Sequence, residues 1–216
     1  MIKEKRLNLA CGQNKIEGYF GVDIVKTEAA DAVVDLQKYP WDIESESAEE
    51  IISSHYIEHI PHDSTVKHLV ESLRDNDFYD DFKNDFLKKL NYVDEQLSHP
   101  YMPSEGMFKF MDEVYRILIP GGKIKIIAPY YSSMRSCQDP THTRDICEAT
   151  FMYFNKNFRN INRLDHYGVV CDFDFTYGYD IDTTWNNRED SVRAFAMKHY
   201  LNVINDIQVL MTKKIE

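Results

Sequence analysis

Residues 7–24 read "LNLACGQNKIEGYFGVDI" and hold two short apolar runs separated by a polar loop. The first run alternates at Leu7 and Leu9 and meets Gly12, which is typical of a buried strand that ends in a turn. The second run reaches Asp23, a carboxylate near the end of a second strand. A crossover helix between parallel strands usually needs ~10–12 residues, so the shorter loop here has room for at most a turn or two of helix.

The rest of the chain alternates strand-like and helical segments. Seven strands are predicted, at 5–12, 19–24, 31–36, 48–55, 122–129, 173–181 and 203–214. Between the fourth and fifth strands, apolar residues recur every three or four positions, which predicts helices within 63–99 and 104–118. Ser104 is the expected cap of the second helix, and "PGG" (120–122) is its expected end. This alternation predicts a mainly parallel α/β sheet whose ligands lie outside the carboxyl ends of its strands.

The composition indicates a soluble protein that folds as one domain over residues 1–216. Hydrophobic residues make up 43% and charged residues 28%, which is ordinary for a globular protein. No apolar run approaches ~18 residues, so neither a membrane span nor a signal peptide is expected. The four cysteines show no C-x-x-C spacing, which predicts free thiols in the cytoplasm. A net charge of -11 argues against a nucleic-acid partner.

Small and polar residues collect at the predicted carboxyl ends of the strands. They are Ala10, Cys11 and Gly12, then Asp23, then Asp35, then Ser54 and His55, and finally Tyr130 and Tyr131. A glycine turn lets a ligand approach the backbone, and a carboxylate after the second strand can accept both hydroxyls of a ribose. Asp35 could accept a hydrogen bond from the amine of an adenine. Each residue alone is more often a turn or cap residue than a ligand, so the prediction of a nucleoside-bearing cofactor rests on their order.

Residues 55–59, "HYIEH", match H-x-x-E-H, a zinc-hydrolase pattern in which two histidines on one helix bind the metal. Here the pattern follows an apolar strand directly and precedes Pro61, so any helix would be very short. We therefore expect no zinc at His55 and His59, and no other metal site. His59 is expected to be a hydrogen-bonded structural residue, and His55 to lie at or near the active site.

Four segments in order resemble the class I S-adenosylmethionine-dependent methyltransferases: "LNLACGQNKIEGYFGVDI", "DAVVDLQKYPWD", "IISSHYIEHIP" and "FMDEVYRILIPGGKIKIIAPYY". The likeness is to a methyltransferase type 11-like branch with a short first loop and an SH-x-x-EH segment. It covers about residues 5–131 without 62–103, and "DPTHTR" (139–144) also resembles a segment of that branch. The rival nicotinamide fingerprint, G-x-G-x-x-G, is absent.

The resemblance implies a Rossmann-like, mostly parallel seven-stranded sheet, with 62–103 as a helical cap inserted between strands four and five. It implies S-adenosylmethionine as the cofactor. By position, Ala10, Cys11 and Gly12 would face its methionine part, Asp23 its ribose, Asp35 and Leu36 its adenine, and Ser54 and His55 its sulfonium. The chain departs from the family at Ala10, where glycine is usual, and alanine fits there only if φ is negative.

The acceptor would be a small molecule or saccharide whose hydroxyl or amine can need a base. The candidates for that base are His142, His55, Asp139 and His166, with His142 preferred because "DPTHTR" follows the fifth strand. Tyr130, Tyr131 and Arg144 are candidates for acceptor contacts. A capped turn explains "DPTHTR" equally simply, and a non-catalytic cofactor-binding module or partner subunit is the alternative function.

Overall fold

The computed structural model describes residues 1–61 and 105–215. Its strands form one seven-stranded sheet in the order β3-β2-β1-β4-β5-β7-β6. In chain order the strands are β1 (Arg6–Leu9), β2 (Phe20–Asp23), β3 (Ala32–Val33), β4 (Ala48–Ser54), β5 (Leu118–Pro129), β6 (Phe173–Ile181) and β7 (Ile204–Lys213).

The first five strands pair in parallel, and β7 runs antiparallel between β5 and β6. This arrangement confirms the predicted mostly parallel seven-stranded α/β fold. Because β7 is antiparallel, its beginning lies at the edge of the sheet where β5 ends, and Asp206 stands opposite Pro129. One edge of the sheet therefore carries the carboxyl ends of β1 to β5 together with the start of β7.

Helices and short turns connect these strands. The helices are α1 (Glu105–Ile117), α2 (Met134–Gln138), α3 (Glu148–Met152), α4 (Lys156–Ile161), α5 (Thr183–Asn186) and α6 (Asp190–His199), with 3₁₀ helices at Ile57–His59 and Asp165–Tyr167. None of the helices in the described ranges is long and apolar enough to cross a membrane. The predicted cap (62–103), its helices within 63–99 and the capping Ser104 lie outside the described residues.

The prediction that "PGG" (120–122) ends a helix is wrong. The helix ends at Ile117 and the three residues lie inside β5. The pairing of β4 with β5 shifts register there, between Ala48 and Glu50, which is how a β-bulge accommodates extra residues. Gly121 has φ +78°, and a Cβ at Gly122 would lie 3.1 Å from the Ala48 carbonyl oxygen. The two glycines therefore shape an irregular strand.

The third strand is shorter than predicted. It covers only Ala32–Val33 rather than 31–36, because the chain turns at Asp35, whose Oδ1 accepts from the Gln37 amide at 3.0 Å. Between β1 and β2 the chain forms turns only, as the short loop requires.

Helix α1 is fixed beneath the carboxyl edge by aromatic and ionic contacts. The Phe110 ring lies 5.4 Å from Tyr56 and 5.5 Å from Trp41, centroid to centroid. The buried Glu113 carboxylate accepts from the Trp41 amide and from the Arg116 guanidinium, both at 2.6 Å. The helix thus anchors both the segment after β3 and the segment after β4.

Gly21, in the middle of β2, allows the following loop to pack directly on the strand. A Cβ built there would lie 2.0 Å from the Ala29 carbonyl oxygen and 3.1 Å from the Cys11 sulfur. The Gly21 amide also donates to Asp31 Oδ2 at 2.8 Å. No side chain fits this position without moving backbone.

We expect Gly21→Ala to lower the free energy of unfolding by about 1–3 kcal/mol, because the methyl group would displace backbone. Gly178 in β6 is the matched control, since an added Cβ there meets nothing within 4 Å. Gly178→Ala should be neutral or stabilise by up to ~1 kcal/mol. Urea unfolding monitored by circular dichroism measures both, and equal shifts in the two variants would contradict the packing argument.

Candidate active site

The Asp23 carboxylate holds the loop that leaves β1. Its Oδ2 accepts from the Gly12 amide at 2.7 Å and its Oδ1 from the Val25 amide at 3.1 Å. Asp23 remains partly exposed, so each oxygen keeps capacity to accept a further hydrogen bond. A Cβ added at Gly12 would meet nothing within 4 Å. A ligand can therefore approach both the loop backbone and the carboxylate.

The backbone at Ala10 differs from the expectation that an alanine at this position needs a negative φ. Its φ is +55°, and His55, directly after the neighbouring strand β4, has φ +54°. For an L-residue this conformation costs about 1–2 kcal/mol. Such strained residues cluster at functional sites, and here they mark the carboxyl ends of the two central parallel strands.

Asp35 shares an electrostatic environment with Asp23. Burial raises the pKa of the Tyr56 phenol, and the negative charges of Asp35 and Asp23 raise it further. Asp35 is partly exposed, with Lys38 Nζ 3.5 Å from its Oδ2. Leu36 is only 3% exposed and belongs to the main core. The two carboxylates therefore both lie near Tyr56. Leu36, which follows Asp35 in the chain, is a packing residue.

The HYIEH segment forms a three-residue 3₁₀ helix, Ile57–His59, after β4. Ile57 and Ile60 are buried in the core, and His59 Nδ1 lies 2.9 Å from Thr141 Oγ1. The short helix and the hydrogen-bonded His59 agree with the sequence-based expectation. The burial of Glu58, which is 1% exposed, was not foreseen.

Two carboxylates flank the His55 ring. Nδ1 lies 3.4 Å from Glu58 Oε1, and Nε2 lies 3.9 Å from Asp206 Oδ2. The neighbouring Glu58 carboxylate raises the pKa of His55 and Asp206 adds to the effect, while burial opposes it. Asp206 Oδ2 also accepts from the Arg135 guanidinium at 2.5 Å. The ring is 46% exposed, so the imidazole can still meet a ligand. Ser54, the last residue of β4, is half-buried beside it.

The DPTHTR segment packs against the HYIEH segment. Arg144 donates to the Ile60 carbonyl at 2.6 Å, and burial lowers the pKa of its guanidinium. Asp139 Oδ1 accepts from the amide and the hydroxyl of Thr141, at 2.8 and 2.7 Å, and these hydrogen bonds lower the pKa of Asp139. Asp139 therefore stabilises its own turn, and Arg144 anchors the segment.

His142 lies beside His59 on this packed surface. Its Nδ1 is 2.8 Å from the Ser136 carbonyl oxygen, and the two imidazole centroids are 4.6 Å apart, edge to face. His142 is thus held next to the 3₁₀ helix, whereas His55 stands at the end of β4 itself.

The two tyrosines after β5 have different environments. Tyr130 is buried, and its hydroxyl donates to Glu148 at 3.0 Å, as does the hydroxyl of Tyr179. Tyr131 is 54% exposed and its ring centroid is 4.7 Å from that of Tyr130. Tyr131 is therefore the one available to a ligand, with Tyr130 packed behind it.

Sequence reasoning missed the roles of three acidic residues at this edge, namely Glu58, Glu148 and Asp206, and of Arg135, which pairs with Asp206. Asp206 comes to this edge only because β7 is antiparallel. The carboxylate near the start of the last predicted strand would have indicated this position, but only if that strand had been assumed to run antiparallel to β5.

We expect Ala10→Gly to raise the free energy of unfolding by about 0.5–1 kcal/mol, because glycine adopts positive φ without strain. Ala128, buried in β5, is the control. Ala128→Gly should lower stability by about 1–2 kcal/mol through backbone entropy and lost burial. Chemical denaturation of both variants tests this, and destabilisation of Ala10→Gly to the same degree would refute a strained Ala10.

No protein-family model and no curated protein sequence matches the chain. Solved structures do match its fold. A SAM-dependent methyltransferase from Archaeoglobus fulgidus aligns with a TM-score of 0.54 at 15% identity, covering 97% of this chain and 86% of that one. Methyltransferases from Mesorhizobium loti (12% identity, 98% and 92% coverage) and Methanosarcina mazei (12% identity, 100% and 95% coverage) align with TM-scores of 0.46. The likeness to the first structure establishes a class I methyltransferase fold for this chain.

Proposed function

We propose that this protein binds S-adenosylmethionine and transfers its methyl group to a hydroxyl or amine of a small molecule or saccharide. The observation that carries the proposal is the Asp23 carboxylate, held by the Gly12 amide beside an open loop. This is where the class I fold brings a nucleoside to the ends of its strands. The fold shared with the Archaeoglobus fulgidus methyltransferase agrees with the proposal.

The residues of the β1–β3 side fit this cofactor. Asp23 has free acceptor capacity for the ribose hydroxyls, and Asp35 has it for the adenine amine. The loop Ala10–Gly12 would meet the methionine part, with Leu36 next to the adenine position and Ser54 next to the sulfonium. When bound, S-adenosylmethionine supplies an electrophilic methyl group, so the protein's task is to align the acceptor and exclude water.

On the acceptor side, the geometry favours His55 over His142 as the base. His55 directly follows β4, remains half-exposed and lies between two carboxylates. With Nδ1–H toward Glu58, Nε2 can take the acceptor proton, and Asp206 then stabilises the imidazolium. Asp139 is engaged in its own turn. Tyr131 is the proposed wall of the acceptor pocket, and Arg144 supports that pocket through Ile60.

Asp23→Ala should weaken S-adenosylmethionine binding about ten- to a hundred-fold, since it removes charge-assisted hydrogen bonds that contribute ~1.5–3 kcal/mol. Isothermal titration calorimetry gives the affinity. Asp182→Ala is the control. The Asp182 carboxylate also accepts a hydrogen bond from a backbone amide, that of Thr184, but it does so as the N-cap of helix α5 after β6. Unchanged affinity in Asp23→Ala would remove the cofactor assignment.

His55→Ala should reduce turnover by ~10²–10⁴-fold, the usual contribution of a general base, while cofactor affinity hardly changes. The acceptor is first found by incubating metabolite and glycan extracts with labelled S-adenosylmethionine. Release of S-adenosylhomocysteine then gives the rate, with the exposed His199→Ala as the control.

A larger loss of turnover in His142→Ala than in His55→Ala would restore His142 as the base. Cofactor binding with no product from any extract would favour the non-catalytic module.

A further inference from the structure

We propose that Glu58, His59 and His142 form a binding site for a divalent transition-metal ion. One ligand atom from each residue lies within 4.8 Å of the other two. In a tetrahedral zinc site, ligand atoms ~2.0–2.2 Å from the ion lie about 3.4 Å from one another, so side-chain shifts of about 1 Å would bring these atoms to that spacing. Small side-chain adjustments therefore suffice to close the three atoms around an ion.

The hydrogen bond of His142 leaves a ligand atom free. Its Nδ1 lies 2.8 Å from the Ser136 carbonyl oxygen, which can only accept. Nδ1 therefore carries the proton, and Nε2 keeps a lone pair. This is the usual arrangement of a metal-binding histidine, whose other nitrogen is fixed by a backbone carbonyl or carboxylate.

A two-step chain fixes His59 in the same tautomer. The Thr141 hydroxyl donates to Asp139 Oδ1 at 2.7 Å, because an ionised carboxylate can only accept. The Thr141 oxygen then accepts from His59 Nδ1 at 2.9 Å, which leaves the lone pair on His59 Nε2. Asp139, which looked like a catalytic candidate in the sequence, thus orients a ligand.

Glu58 provides an independent indication of a cation. It is 1% exposed, and neither carboxylate oxygen has a hydrogen-bond partner among the described residues. An isolated carboxylate is strongly disfavoured in the interior unless a donor or cation compensates it. His55 Nδ1 approaches Oε1 at 3.4 Å but leaves Oε2 uncompensated. A metal ion would compensate the carboxylate and engage both free imidazole nitrogens.

The donor set indicates which metals fit. Two imidazole nitrogens and one carboxylate oxygen suit zinc and its neighbours in the first transition row, whereas magnesium and calcium prefer oxygen ligands. Three protein ligands also leave a coordination position for water or a further oxygen, as in zinc sites with catalytic roles. The proposal departs from the expectation that HYIEH binds no metal. The proposed ligands also differ from those of the H-x-x-E-H pattern, because His142 takes the place of the first histidine, His55.

Zinc titration of metal-stripped protein, followed with a competing chromophoric chelator, tests the site without any acceptor or methyl donor. Wild-type protein should bind one zinc per chain, and cobalt should give the visible absorption of a low-coordinate site. His59→Ala and His142→Ala should weaken zinc binding by more than the ~10–100-fold that an outer-shell change costs. Thr141→Val removes the hydroxyl that hydrogen-bonds His59 and Asp139, and its loss of zinc affinity should fall within the ~10–100-fold range.

His166→Ala is the matched control, because His166 is exposed in the 3₁₀ helix Asp165–Tyr167. It should bind zinc as the wild type does. Circular dichroism confirms that each variant is folded, and His142→Ala carries the test if His59→Ala does not fold. Absence of stoichiometric zinc in the wild type, or equal loss in His166→Ala, would overturn the proposal. Zinc binding without methyl transfer would leave this site standing and reject only the proposed activity.

Discussion

The hydrogen bond from the Gly12 amide to the Asp23 carboxylate determines the shape of the carboxyl edge. It ties the loop leaving β1 to the end of β2, 11 residues later. Together with the hydrogen bond from the Cys11 amide to the Val22 carbonyl, it supports the positive φ of Ala10, which is unfavourable for alanine. The close packing of Ala29 on Gly21 closes the next loop against the same two strands. A small number of backbone constraints thus shapes this edge and leaves the Asp23 carboxylate accessible.

The other half of the edge has a different chemical character. Its acidic groups, Glu58 and Asp206, are nearly fully buried, so they depend on nearby cations more than surface acids do. His55 lies between them and Arg135 contacts Asp206. In contrast, Asp23 and Asp35 on the β1–β3 half of the edge remain partly exposed and keep acceptor capacity. The site therefore combines an accessible side that accepts hydrogen bonds with a desolvated side where charge is balanced.

Local patterns were sufficient to predict the order of the seven strands, the mainly parallel sheet and the placement of Asp23 at the end of β2, whereas Asp35 lies two residues beyond β3. Apolar alternation and a following polar residue are properties of a few adjacent positions. The positive φ of Ala10 was not predictable, because it depends on the hydrogen bonds that the next two residues make to the end of β2. Likewise, "PGG" continues a strand only because β4 pairs beside it. The burial of Glu58 depends on packing against a segment about 80 residues away, which no local pattern encodes.

The antiparallel strand β7 has a consequence for the order of assembly. Strand β6 pairs with β7 alone among the described strands, yet it precedes β7 in the chain. During synthesis β6 must therefore wait for β7, which inserts between it and β5. The ion pair between Asp206 and Arg135 can form only when β7 has inserted, whereas Gly12 and Asp23 are only 11 residues apart in the sequence. Folding from the amino terminus would thus complete the β1–β3 side of the edge first and the desolvated acidic side last.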